Sequence, residues 1–146
     1  MKVEKIFTTE VKTKIVKSIE QAAFATSGEI RLNVDDKCKD EVLNHAAFIF
    51  EKLEMHKTDF RNGFLFYVSV VARKFAILVD VGINEKVADD FWKEVKDLVL
   101  SNFKEGNHAE GLSAGIIFAG EQLKAHFTCQ KDDVNELNNE IYFGND

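Results

Sequence analysis

Proline is absent from this 146-residue chain. Its turns must rest on Gly, Asn and Asp, whose backbones and side chains favour turn geometry. Cysteine is scarce. Cys38 and Cys129 have no second Cys or His at zinc-type spacing, which argues against a Cys-based metal site. A reduced cytosolic pair is the simplest reading of them, with a disulfide left open. Positive charge is in deficit. A net charge of -6 argues against non-specific nucleic-acid binding, which needs clustered Lys and Arg; cations and basic partners stay open. Long apolar runs are missing, since no stretch approaches the roughly 18 residues of a membrane span. The opening "MKVEKIFTTEVK" lacks the apolar region of an export signal. The expectation is a cytoplasmic monomer with no membrane segment and no nucleic-acid partner. What is present is core material: 45% apolar residues, thirteen of them Phe, enough to bury one sizeable domain.

Hydrophobic spacing predicts the elements. Val11, Ile15, Ile19 and Ala22 form one stripe of a helix over 8–26, ended by Ser27-Gly28. "EIRLNVD" alternates, with Ile30, Leu32 and Val34 on one face and Glu29, Arg31, Asn33 and Asp35 on the other, the pattern of a half-exposed strand. Val42, Ala46, Ile49, Phe50 and Leu53 predict a second helix over 40–54. Gly63–Val71 and Phe75–Val81 are nearly continuous apolar runs, so both read as central strands, and the short "ARK" link makes them a hairpin. Asn84 is placed to cap a third helix over 85–104, which Gly106 terminates. Asn107 with Glu110 resembles a capping box for a fourth, over 108–126, whose glycines suggest close packing on the sheet. Trp92 reads as a core anchor. From Gln130 the chain carries five acids and one Lys, which predicts a mobile acidic tail over 130–146 behind a single domain over 1–129, with "EIYF" as a docking segment. The order α-β-α-β-β-α-α predicts an α/β fold, a three-layer α/β/α sandwich with a central mixed sheet.

Topology then gathers residues that the linear sequence separates. A helical crossover makes the first two strands parallel, and the hairpin makes the third antiparallel. One sheet edge therefore collects Ser27, Gly28 and Glu29, then Asp59, Arg61 and Asn62, then Asp80 and Gly82, with Asn84, Glu85, Asp89 and Asp90 beside them. Carboxylate and amide oxygens of this kind suit calcium or magnesium, and Gly63 and Gly82 allow a close backbone approach. The candidate ligands are Glu29, Asp59, Asn62, Asp80 and Asp90. The plainer reading is that acids at helix starts favour the dipole and that Asn-Gly is turn chemistry. His45, His56, His108 and His126 are scattered, and His45 and His126 read as surface or packing residues. No nucleophile elbow or phosphate-binding Gly loop is present.

The segments "TSGEIRLNV", "RNGFLFYVSVVARKFAILVDVGI", the "FW" pair, "GLSAGIIFAGEQLKAHF" and "DDVNEL", in this order, resemble the TPM domain family. That family groups thylakoid-lumen phosphatase-like proteins, photosystem II repair proteins, a nematode modulator of acetylcholine receptors and many bacterial proteins, and this chain is most similar to its short stand-alone bacterial type. The resemblance implies an α/β/α sandwich, a calcium or magnesium site at the sheet edge and, for some plant members, acid phosphatase activity. Its motif positions here are Gly28 and Glu29, then Arg61, Asn62 and Gly63, then Asp80 and Gly82. Related bacterial forms usually carry Gly-Asp where this chain has Val79-Asp80, and Pro where it has Thr128.

Two functions follow as expectations. One is a Ca2+- or Mg2+-binding domain that serves as a protein-interaction or regulatory module. The alternative is a metal-assisted phosphatase acting on phosphomonoesters, with Arg61 or Arg31 holding phosphate and Asp59 or Asp80 as base.

Overall fold

The computed structural model describes residues 3–71, 73–128 and 141–144. A single turn α1 (Val3–Ile6) leads into α2 (Thr9–Ala23), β1 (Glu29–Asp35), α3 (Val42–Lys52), a 3-10 turn at Met55–Lys57, and the hairpin β2 (Gly63–Ser69) and β3 (Lys74–Val79). After these come α4 (Val81–Asn84), α5 (Asp89–Lys104), α6 (His108–His126) and β4 (Ile141–Gly144). The sheet order is β3-β2-β1-β4, so β2 is central as expected. β3, also expected to be central, is instead an edge strand that is buried only in part. An apolar run records burial of side chains and not the number of neighbouring strands. β2 and β4 both run parallel to β1, and β3 runs antiparallel to β2. The crossover and hairpin expected from the sequence are therefore present, in an α/β fold with a mixed sheet.

Alternation of side chains along the strands feeds two apolar clusters. Ile30, Leu32, Val34, Phe64, Phe66 and Val68 pack with α2, α5 and α6 residues such as Ile15, Ile19, Val95 and Leu112. Leu65, Tyr67 and Ala76 pack with Ala46, Ile49 and Phe50 of α3 and with Met55. Full burial of a side chain such as Ile15 or Ile19 is worth about 1.5–3 kcal/mol.

Four local expectations change. β1 is buried along its whole length, polar residues included, and over Leu32–Asp35 β4 gives it a second neighbour that alternation alone does not reveal. β4 pairs Leu32 with Ile141 and Asp35 with Gly144, while the acidic stretch 129–140 lies outside the described residues. The third helix starts at Asp89, with Ala88 as its N-cap, and not after Asn84. Asp80 caps the separate turn α4 instead, its side chain accepting from Val81 N, and the break lets both Ile83 and Val87 be buried. Asn107 precedes α6 but makes no side-chain cap. Gly106 does end its helix in the left-handed region, at φ 82°. The glycines of α6 do mark close packing, but against the neighbouring helices more than against the sheet. A Cβ on Gly120 would lie 2.5 Å from Ala22 Cβ of α2, and one on Gly115 would lie 2.6 Å from Val99 of α5 and 3.5 Å from Phe66 of the sheet. Trp92 packs edge-on to Phe64 at 4.9 Å.

Candidate metal centre

The edge built by the starts of β1 and β2 and the end of β3 is stitched by backbone. Glu29 N donates to Asn62 O (3.2 Å), Asp80 N to Gly63 O (3.0 Å) and Gly82 N to Arg61 O (2.9 Å). The 58–62 loop is pinned from within by Thr58: its hydroxyl accepts from Asn62 N at 3.0 Å, and its carbonyl accepts from Arg61 N at 3.2 Å. Asn62 Nδ2 then donates to Ser27 Oγ at 3.1 Å, tying the loop to the entrance of β1. Gly82 is obligatory here, because a Cβ would meet Phe60 O and come within 2.6 Å of Arg61 O.

Arg61 turns through φ 52° and lays its guanidinium on Asp80. Nε donates to Oδ2 at 2.7 Å and Nη2 to Oδ1 at 2.8 Å, the two-pronged geometry that suits guanidinium and carboxylate. Asp80 Oδ1 also accepts from Val81 N at 2.8 Å. The Asp80 side chain is 5% exposed and that of Arg61 is 49% exposed, so the pair joins a buried anion to a half-solvated cation. Hydrogen bonding to Asp80, and then its charge, push the Arg61 pKa further up.

Glu29 and Asn62 are buried at the same edge. Among the described residues Asn62 Oδ1 has no hydrogen-bond partner. An unpaired buried acceptor costs about 1–3 kcal/mol, so this oxygen is an open position for a donor or a cation. Asp59 lies in the same loop, exposed to solvent. Asp90 is exposed in the first turn of α5, where an acid favours the helix dipole. The structure thus brings Glu29, Arg61, Asn62 and Asp80 together, leaves Asp59 at the rim and places Asp90 on a helix start. Among the described residues no group of three or more His, Cys, Asp and Glu side chains is arranged to hold a metal. A cation here would have to use the Asn62 amide oxygen and backbone carbonyls beside the Asp80 carboxylate, a donor set that fits hard cations.

The TPM domain model matches residues 1–121. The chain belongs to the TPM domain family. The BA42 protein of the psychrophilic bacterium Bizionia argentinensis is 40% identical, with a TM-score of 0.90 over 98% of this chain and 99% of that one. The N-terminal domain of a P. gingivalis protein shares the fold at 14% identity, with a TM-score of 0.71 over 86% of this chain and 82% of that one. A search of curated proteins matches nothing.

This TPM domain holds a second polar cluster that sequence reasoning missed. At the far end of β1 the buried Asp35 accepts from Tyr67 OH at 2.6 Å and from Asn33 Nδ2 at 3.2 Å, with His45 Nε2 at 3.2 Å. Burial first, then the hydrogen bond and charge of Asp35, push the Tyr67 phenol far up, so it stays a donor. Gly144 of β4 closes over the group, since a Cβ there would meet Asp35 Oδ1. Tyr67 and Ser69 were the signal: they are polar residues inside an apolar run, and they pair with Asn33 and Asp35.

Proposed function

We propose that this TPM domain binds a divalent cation, Ca2+ or Mg2+, at the Asn62–Asp80 edge and serves as a protein-interaction or regulatory module. The observation that carries the reading is Asn62 Oδ1, buried without a partner among the described residues in a loop whose backbone is joined to Glu29 and to the Asp80–Gly82 turn. In the described geometry the Arg61 guanidinium neutralises Asp80. A cation competing for that carboxylate would release Arg61 to solvent beside the exposed Phe60 and Val81, and this coupling would let ion binding alter the surface offered to a protein.

The phosphatase alternative rests on the same Arg61 at an open edge. Both oxygens of Asp80 already accept hydrogen bonds, and that favours binding over a free base. Calorimetric titration with CaCl2 and MgCl2, followed by amide resonances, is expected to show saturable heat and shifts confined to 59–63 and 80–85, both lost in Asp80→Asn. No heat together with unmoved resonances overturns the proposal. Turnover of p-nitrophenyl phosphate that disappears in Asp80→Ala would favour the phosphatase reading instead.

A further inference from the structure

A cavity of about 1080 Å³ opens at the other end of β2, around Ser69 and Val70. It lies about 20 Å along the strand from Gly63, at about 3.3 Å per residue, and shares no residue with the candidate metal centre. Its position follows a general rule of α/β sheets, in which ligands bind beyond the carboxyl ends of parallel strands. Its volume suits a small organic molecule. The walls include Ile6, Phe7, Val68, Val70, Leu100 and Phe103. Phe103 is fixed there by edge contact with Phe75 at 6.1 Å and by a tilted contact with His108 at 4.9 Å.

The charged groups around the cavity are Arg73, Lys74 and Lys104 against Asp97 and Glu105, with His108 alongside. The lining is therefore net positive on a chain whose net charge is -6. None of the three cations forms an ion pair among the described residues. A lining that is part apolar and carries one net positive charge suits a small molecule with an aliphatic tail ending in an anion. The tail removes apolar surface from water, and the head meets Lys and Arg.

The geometry points to a second site, distinct from the cation edge, that takes a medium-chain carboxylate with its chain between α1, α5 and β2 and its carboxylate at Arg73 and Lys104. Full-chain protein is titrated with monomeric decanoate and read by amide resonances. Saturable shifts at Ile6, Val70, Leu100 and Phe103 are expected, with 59–63 unmoved. Decanol and decyltrimethylammonium, with the same tail, are expected to bind about tenfold more weakly or worse. The double variant Arg73→Glu/Lys104→Glu is expected to lose about tenfold in decanoate affinity while keeping its melting temperature. The absence of saturable shifts at low millimolar decanoate overturns the site. Equal affinity for the three probes overturns the role of charge, a comparison made on the wild-type protein and so independent of whether the variant folds.

Discussion

Gly82 and Tyr67 show how single residues carry this structure. Gly82 lets the turn after β3 pass against the 58–62 loop, with its N–H on Arg61 O. Gly82→Ala puts a methyl into the Phe60 and Arg61 carbonyls, so the loop must move. The expected cost is about 1–3 kcal/mol in urea unfolding, accompanied by loss of the cation response; a fully stable variant that still responds would refute the close approach. Tyr67 tests the other cluster. Tyr67→Phe removes a hydrogen bond to a buried carboxylate, an expected loss of about 1.5–3 kcal/mol at neutral pH. The pH dependence follows from the raised phenol pKa. Above about pH 10 an unfolded Tyr loses its proton while the folded one keeps it. The unfolded state then binds fewer protons, so this contribution is complete below pH 10 and falls above it by about 1.4 kcal/mol per pH unit. The stability gap between wild type and Tyr67→Phe should therefore narrow in alkali, and a gap that stays constant rules this account out.

At the scale of elements, the glycines of α6 decide how near the helices come. Gly120 faces Ala22 so closely that a Cβ would sit 2.7 Å from its Cα and 2.9 Å from its carbonyl oxygen. Two effects oppose each other on substitution. Replacing a mid-helix Gly gains up to about 1 kcal/mol of helix propensity, less for a β-branched residue. Overpacking against backbone costs about 1–3 kcal/mol. Gly120→Val has the smaller gain and the larger clash, so a net loss of stability is expected. A melting temperature at or above wild type would mean that α2 and α6 can separate freely. The short β4 acts in a comparable way. Its four residues complete the second edge of β1, and Tyr142 lies 4.5 Å from the guanidinium carbon of Arg31. β4 thus flanks the Leu32–Asp35 half of β1, whereas Glu29, paired with Gly63 of β2, is buried at the end that β4 does not reach.

For the whole molecule, ion binding and folding are linked. If the edge site takes Ca2+ in the folded state alone, a concentration one hundred times Kd adds about 2.7 kcal/mol of stability. For a chain of this size each kcal/mol raises the melting temperature by about 3 °C, so a rise of about 8 °C is expected. Asp80→Asn should abolish it. An identical rise in that variant would mean that calcium acts elsewhere, for example on the acidic surface. No helix among the described residues is long and apolar enough to cross a membrane.

Periodicity was enough to read α2, α3, β2 and α6 from the chain, because each buries a stripe or a face whose spacing matches its own geometry; it also found β3 as a strand, but not its place at the edge of the sheet. The parallel crossover and the hairpin followed from element order, and they placed Glu29, Arg61, Asn62 and Asp80 at one edge before any distance was known. Local patterns could not reveal contacts made at long sequence separation. The second neighbour that flanks Asn33 and Asp35 on the polar face of β1 is β4, more than one hundred residues later. The start of α5 at Asp89 depends on burying Ile83 and Val87 together. The role of Asp80 as partner of Arg61 and cap of α4, and the open valence of Asn62 Oδ1, were settled by packing, because hydrogen-bond satisfaction is a property of the assembled neighbourhood and not of any one segment.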